Sequence, residues 1–376
     1  MPTRRHALAL LAAAPFAGCA PSADPAAAWR TADAAQTDPR RFALAHAILA
    51  PNPHNTQPWQ IEFDAADGMT LYCDLQRRLP VTDPLDRQIT LGCGAFLELY
   101  RIAAAHLGYA ASVEPFPDGA PTPRLDQRPL ARVKLGPQSP GAAGDPMFAH
   151  IAARRTNRNA YDISRVPAQS DLQKLTDAAA ERGAEAEFTV DPQRVAKLRD
   201  LVWRGWAREE STRGALEETF GWLRFGRAQI AAHKDGLAVD GAVIGPMRML
   251  GLFSHDQMVD PNSFANKQAA QEWKHKADTA PAFAWLSMPQ NDDTPAGRLT
   301  AGMAYARMNL AATAAGLSIH PWSQVLEEYA EMADLRRETR ALLQDDENFL
   351  HMLVRVGYAA PVEPAARRDV AAFIRT

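Results

Sequence analysis

Asn55-Thr56-Gln57-Pro58-Trp59 and Arg154-Arg155-Thr156-Asn157-Arg158 are the two stretches that decide how this chain is read. The first ends a loop, Pro51 to Pro58, that three prolines keep out of a helix. It feeds Trp59 to Phe63, whose alternating apolar and polar residues predict a strand. Asp64 to Gly68 then supplies a turn and Met69 to Cys73 returns, so a hairpin is expected. The second stretch is rich in arginine, whose planar guanidinium makes paired, charge-assisted hydrogen bonds to phosphate or carboxylate. Each occurs once. Each also has an ordinary structural explanation: an Arg-Arg pair is usually a solvated face, and Gln-Pro-Trp can be a turn with a buried indole.

Working outward, Pro39 to Leu49 reads as a helix with Phe42, Ala45, Ile48 and Leu49 on one side. Gln88 to Leu107 reads as a longer one, with Leu91, Ala95, Leu99, Ile102 and Ala103 on one face and Gly108 just past its end. Residues 115–146 are rich in Pro and Gly around a short strand, Ala131 to Leu135, and form the best internal boundary. Beyond it come a helix running into Arg154, a helix from Leu172 to Glu181, and a strand from Ala186 to Val190. The run from Pro192 to Gln229 is helical in pattern and carries Trp203, Trp206, Phe220, Trp222 and Phe225, before Gly/Met/Leu-rich turns from Gly236 to Gly251. Ala282 to Met288 is a strand apolar on both faces, Thr294 to Ala315 a small-residue helix ending at Gly316, and Leu353 to Tyr358 a further strand. Ile89–Gly108 and Leu299–Gly316 echo one another. This alternation with hairpins predicts an α+β unit rather than a doubly wound sheet. No Gly-x-Gly-x-x-Gly opens a helix after a strand, so a Rossmann nicotinamide site has no support.

At 376 residues the chain exceeds one typical domain, and 47% hydrophobic with 23% charged residues is ordinary for a globular protein. A net charge of −3 offers no general attraction to nucleic acid. Removing Arg4 and Arg5 takes that −3 to −5. Thr3-Arg4-Arg5-His6-Ala7-Leu8 resembles a twin-arginine export signal, and the apolar run Ala7 to Phe16 is too short to span a bilayer. Phe16-Ala17-Gly18-Cys19 resembles a lipobox. Residues 1–18 are therefore expected to be an export signal, Cys19 a lipidation site and 19–38 a tether, giving a periplasmic or membrane-anchored protein. Cys73 and Cys93 form neither a disulfide framework nor a metal-ligand spacing and are expected to be buried small hydrophobes.

Taken together, the two stretches resemble the two parts of the flavin site in the nitroreductase family, where they come from different subunits of a homodimer. Here they lie on one chain, which makes it most similar to the Acg-type tandem nitroreductase-like FMN-binding proteins. The resemblance implies a nitroreductase-like α+β fold of two tandem halves, 39–140 and 141–376, forming a pseudo-dimer with a helical lid insertion at about 201–280. It implies FMN as cofactor, with Arg154 and Thr156 at the phosphate and ribityl end and Arg155 between them. It places Arg158 at the pyrimidine edge, where a fixed cation favours the anionic reduced ring. It places His54, Asn55 and Thr56 against the ring, Pro321, Trp322 and Ser323 (after His320) on its second face, and the pair Arg367-Arg368 back at the phosphate.

The chain departs from the family in two ways. Arg40-Arg41 is followed by Phe42, and the second half has no Asn-x-Gln-Pro-Trp, so a second flavin site lacks both parts and a monomer with one FMN is expected. The implied activity is two-electron transfer to a small acceptor, nitroaromatic or quinone-like, from an unknown donor for which NAD(P)H is possible although not expected outside the inner membrane. The alternative is an exported protein that sequesters FMN with little turnover, because a lid formed by Gly236 to Gly251, with Met247, Met249 and Leu250, can exclude substrates. The flavin carries the chemistry in either case, and no Gly-x-Ser-x-Gly setting points to a nucleophile.

Overall fold

The hairpin after Pro58 is present and sets the first sheet. The computed structural model describes residues 24–32, 37–64, 67–139, 141, 143–240, 254–343 and 347–375. The signal-like stretch with Cys19, and the lid candidates Met247, Met249 and Leu250, lie outside the described residues. Strands β1 (Trp59–Phe63), β2 (Gly68–Cys73), β3 (Tyr109–Pro115) and β4 (Ala131–Gln138) form an antiparallel sheet in the order β1-β2-β4-β3. Further along come β5 (Glu185–Thr189), β6 (Leu223–Phe225), β7 (Leu237–Val239), β8 (Ala282–Met288), β9 (Ser318–Pro321) and β10 (Phe349–Gly357). Four of these build a second antiparallel sheet in the order β5-β8-β10-β9, while β6 and β7 pair with one another. The chain is thus α+β, as expected.

The helices are α1 (Ala27–Thr31), α2 (Pro39–Ala47), α3 (Arg87–His106), α4 (Gln169–Ala180), α5 (Pro192–Ser211), α6 (Arg213–Gly221), α7 (Gly226–His233), α8 (His255–Val259), α9 (Phe264–Asp278), α10 (Pro295–Ala314) and α11 (Ala333–Leu343). Their starts follow from local chemistry. The Asp38 carboxylate accepts from the Arg40 N–H with Pro39 in the first turn of α2. The Thr294 hydroxyl accepts from the Gly297 N–H with Pro295 opening α10.

The two halves repeat one another in more than composition. Adding 208 to Leu91, Gly94 and Gly108 gives Leu299, Gly302 and Gly316, and the same offset carries the bounds of α3 onto those of α10. These two helices pack together at their glycines. A Cβ on Gly94 would stand 2.1 Å from the Leu299 carbonyl oxygen, and one on Gly302 would stand 2.0 Å from the Leu91 carbonyl oxygen. Each helix therefore presents to the other the contact it receives, which is the signature of an isologous two-fold interface. The sheets agree: β1, β2, β3 and β4 occupy the places of β5, β8, β9 and β10 in identical order.

The halves differ in what joins their first two strands. Residues 64–67 link β1 to β2, whereas 190–281 link β5 to β8. The insertion is thus a hairpin loop grown into α5 to α9, and it begins earlier than the expected 201. It covers the outer face of the second sheet, where Val195, Leu198 and Trp206 pack with Phe283, Trp285 and Leu353. Helices α4 and α10 cover the inner face through Ala284, Leu286 and Val354. This double cover is why all seven residues of β8 are buried and why its sequence shows no alternation.

Other expectations need revision. The approach to Arg154 is a short 3-10 turn, Pro146–His150, rather than a helix. The helical run from Pro192 breaks at Thr212 and again after Gly221. Helix α9 gave no recognisable pattern, because Ala265 and Ala277 are its only fully buried positions among the described residues. Part of the expected tether belongs to the fold: Trp29 in α1 is 5% exposed and packs in the hydrophobic core of the first half with Phe42, Leu44 and Ile48. The chain end also returns to the first half: Ile374 bridges Ile61, and the Arg375 N–H donates to the Ile61 carbonyl. No described helix is long and apolar enough to cross a membrane.

Candidate functional site

The two motif stretches meet at the C-terminal end of α2. Carbonyls that follow a helix end have no partner within the helix and carry its negative dipole end, so they attract guanidinium groups. Arg154 donates from Nη2 to the Leu49 carbonyl at 3.0 Å. Arg367 donates to the carbonyls of Ile48 at 2.9 Å, Ala50 at 3.0 Å and Leu49 at 3.3 Å, and from Nη1 to Asn55 Oδ1 at 2.5 Å. One carbonyl, that of Leu49, therefore joins the arginine-rich segment, the C-terminal arginine pair and the approach to the Asn-Thr-Gln-Pro-Trp loop. The loop is built to receive them. His54, Asn55 and Gln57 all have φ near +50°, which turns successive peptide groups inward.

The arginines differ in what they have left to give. Arg367 is fully engaged by backbone and Asn55. Arg154 is 2% exposed, yet its Nε and Nη1 have no hydrogen-bond partner among the described residues. Burial pushes its guanidinium down to about 10, Tyr305 opposing and neighbouring Arg155 assisting. Arg155 spends Nη1 on the Ala152 and Arg154 carbonyls, and burial lowers it too, with Glu363 opposing. Arg158 has no hydrogen bond or ion pair among the described residues, and burial depresses it. It faces His54 and His320, whose protonated forms it disfavours. Arg368 is tied by its N–H and Nη2 to Gln57 at 3.0 and 2.7 Å, and burial pushes it to about 10. Among the described residues, Arg154, Arg155, Arg158, Arg367 and Arg368 have no carboxylate at ion-pair distance. Buried cations are ordinarily paired, so this cluster suits an anionic ligand.

Several expected contacts are placed differently. Every polar atom of the Asn55 side chain is engaged within the protein: Nδ2 donates to the Gly236 and Ala366 carbonyls at 3.0 Å each, and Oδ1 accepts from Arg367. Asn55 therefore organises the site rather than presenting a free amide. Thr56 is fully buried and its hydroxyl is without a partner among the described residues. Thr156 is half-buried beside Asn157, whose N–H and Nδ2 pin the segment to the Ile319 carbonyl and Ser318 at the start of β9. Pro321 ends β9. Trp322 is 0% exposed among Phe283, Trp285 and Leu353 on the outer face of the second sheet, and the Ser323 hydroxyl exchanges hydrogen bonds with the Leu353 carbonyl and N–H at 3.0 and 3.1 Å. Trp322 and Ser323 thus support β9 from behind. His320 is buried, and Arg355 Nε reaches its Nδ1 at 3.1 Å. Burial, then Arg355, Arg158 and Lys276, hold it well below its usual value.

Two partners of the site were not expected from sequence. Trp29 lies beneath three guanidiniums, with ring distances of 4.7 Å to Arg155, 5.3 Å to Arg367 and 5.5 Å to Arg154, and its indole N–H donates to the Ala365 carbonyl. The insertion also docks on the motif loop. Gln57 Nε2 donates to the Lys234 carbonyl at 2.9 Å, and the Gly236 N–H to the Asn55 carbonyl at 3.2 Å. Gly236 has φ +71° and leaves 2.3 Å between an added Cβ and the Trp222 carbonyl, so only glycine fits. A lone tryptophan in an Ala-rich segment was the available signal for the first. Nothing local signalled the second.

The unpartnered donors of Arg154, the unpaired Arg158 and the orphan Thr56 hydroxyl fit a ligand that combines a phosphate with a hydrogen-bonding ring. No protein-family model matches the chain. It is 29% identical over 339 residues, 89% of this chain and 90% of the relative, to "Putative NAD(P)H nitroreductase Rv3131" of Mycobacterium tuberculosis. It is 38% identical over 124 residues, 32% of this chain and 35% of the relative, to "Putative NAD(P)H nitroreductase acg" of the same species. A solved structure, the FMN-dependent nitroreductase NfnB of Mycobacterium smegmatis in complex with NADPH, covers 60% of this chain and 94% of its own at 18% identity, with a TM-score of 0.36.

Proposed function

We propose that this chain is an FMN-dependent oxidoreductase of nitroreductase type, with one flavin site assembled from both halves of a single polypeptide. The reading is carried by Arg367, which shares the Leu49 carbonyl with Arg154 and also donates to Asn55 Oδ1, so that it links the two stretches that the family distributes over two subunits. Similarity along nine-tenths of the chain to a protein named as an NAD(P)H nitroreductase supports it and favours NAD(P)H as donor.

FMN would supply reversible two-electron, hydride-type chemistry at its ring. The chain's own residues do the rest. Arg154, through its unpartnered Nε and Nη1 and with Arg155 adding charge, would bind the phosphate. Arg158 would stand at the ring's pyrimidine edge and would favour negative charge there. Asn55 and Gln57 hold the motif loop, the C-terminal pair and the insertion in one geometry. The docked insertion excludes water from one side. The acceptor is inferred to be small, nitroaromatic or quinone-like. Sequestration without turnover is the alternative, decided by steady-state assays with NADPH and menadione. Export and Cys19 lipidation are inferred from the N-terminal sequence alone.

The test is flavin content. A monomeric preparation is expected to release one FMN per chain; a value near two, or flavin only in dimers, overturns the single composite site.

A further inference from the structure

Behind His54 lies a buried acidic group that the flavin reading leaves unused. His54 Nε2 is 3.1 Å from Thr219 Oγ1, and that hydroxyl is 3.2 Å from Glu209 Oε1. Glu209, on α5, is 5% exposed and pairs with no cation among the described residues. Beyond it is Glu327, 9% exposed, whose Oε2 has no partner among the described residues. Gln324 and Tyr329 lie beside these carboxyls, each with an oxygen also lacking a partner among the described residues. The neighbouring charges are mostly of the same sign. Glu210 and Glu218 lie on α5 and α6, and Glu218 is already capped by the Val81 and Thr82 N–H groups. Asp83 and Glu328 flank Arg87, which is paired with Glu328. Arg208 faces Tyr329 from the rim, where Asp334 pairs it.

Two carboxyls taken out of water without a cation are held in the neutral, proton-bearing form. Burial accordingly raises Glu209 to about 7, against the hydrogen bonds from Thr219 and Gln324, and raises Glu327 well above the usual range. His54 runs the other way: burial, then Arg158, lowers it to about 4, so it stays neutral and can both accept and donate.

We propose that Glu209, Thr219 and His54 form a proton relay into the flavin site, delivering one proton for each hydride given to the acceptor. This rests on the flavin reading above. The Thr219 hydroxyl, which donates to Glu209 at rest, turns towards His54, and the Glu209 O–H bond breaks as its proton passes to Thr219 Oγ1. The Thr219 hydroxyl proton passes to His54 Nε2, and the proton on His54 Nδ1 goes to the acceptor oxygen. Hydride from the reduced flavin brings both electrons, so a quinone gains one hydride and one proton and becomes the hydroquinone. Glu209 is left as a carboxylate; a proton from water then enters at His54 Nδ1 while the Nε2 proton returns through Thr219 to Glu209, which restores the first tautomer. Glu209 and Thr219 are positioning residues, with Glu327 next to them as a further acid.

The test uses the flavin-loaded full chain and its Thr219→Val, Thr219→Ser and Glu209→Gln variants. Reoxidation of the reduced protein is followed with menadione, which takes a hydride and a proton, and with ferricyanide, which takes electrons only. The menadione-to-ferricyanide rate ratio is expected to fall at least tenfold in Thr219→Val and Glu209→Gln and to recover with Thr219→Ser. An unchanged ratio, or no recovery with serine, overturns the relay. The same chain is read without flavin from the His54 ring nitrogen resonances, assigned with His54→Gln. They should follow the titration of Glu209 in the parent and Thr219→Ser proteins and not in Thr219→Val. Absence of that coupling overturns the relay whether or not flavin binds, whereas coupling in a chain that cannot bind FMN sinks only the flavin reading.

Discussion

Arg154 and Asn55 show how similar-looking site residues divide their work. Arg154 contributes one hydrogen bond to the fold and keeps two donors for a ligand, while the Leu49 carbonyl it uses is also reached by Arg367. Arg154→Ala is therefore expected to weaken FMN binding by about 1.5–3 kcal/mol, the worth of a charge-assisted hydrogen bond, with little change in thermal midpoint. Asn55 has spent its side chain on Arg367, Ala366 and Gly236, so Asn55→Ala should lower the midpoint as well as the affinity. Flavin titration and thermal melts of the two apo proteins check both halves of this expectation. Equal midpoints for the two variants would contradict the assigned division.

Helices α3 and α10 form the seam between the halves, and the seam depends on the absence of two methyl groups. At Gly94 and Gly302 the facing atom is a backbone carbonyl, which cannot rotate away as a flexible side chain can. Overpacking a closed interface costs about 1–3 kcal/mol and sometimes more. Gly94→Ala is expected to exceed that range, because at 2.1 Å the helices must part. Gly221→Ala, at the end of α6 with nothing within 4 Å of the added carbon, serves as the control and should be neutral or slightly stabilising. Denaturant midpoints of both variants decide it; similar values would show that the seam yields easily.

For the whole molecule, buried titratable groups couple stability to pH. Glu209 has a folded value near 7 against 4.5 for an ordinary glutamate, so the folded state holds more protons through that window. Its contribution is full below about pH 4.5 and is lost as pH rises towards 7. Histidines 54 and 351, both lowered to about 4, act oppositely, gaining stability as pH rises from about 4 to 6.5. The difference between Glu209→Gln and the parent isolates the first group. The variant should gain relative stability as pH rises from about 4.5 to 7, by an amount on the order of 3 kcal/mol at ~1.4 kcal/mol per unit. Urea unfolding across that range measures it, and a flat difference would mean that Glu209 ionises freely in the fold.

The sequence by itself determined those features that rest on short-range chemistry. Three prolines forced an open loop at 51–58, alternation after Trp59 made a hairpin, and 3.6-residue periodicity with a terminal glycine marked α3. Its echo near residue 300 was visible for the same reason. The pairing of the two arginine stretches with the Asn-Thr-Gln-Pro-Trp loop was legible only through a family resemblance, since no local rule links residues so far apart. Tertiary structure decided the rest. It showed that Asn55 is an internal tie, that Trp29 leaves the expected tether to lie under three arginines, and that Trp322 and Ser323 stand behind the site. It alone placed Thr219 of the insertion between His54 and Glu209. The physical reason is common to these cases. A side chain's donors, charge and burial acquire a role only when distant segments remove water from around them, and which segments do so is set by the packing of the two sheets and the seam, not by the neighbours in sequence.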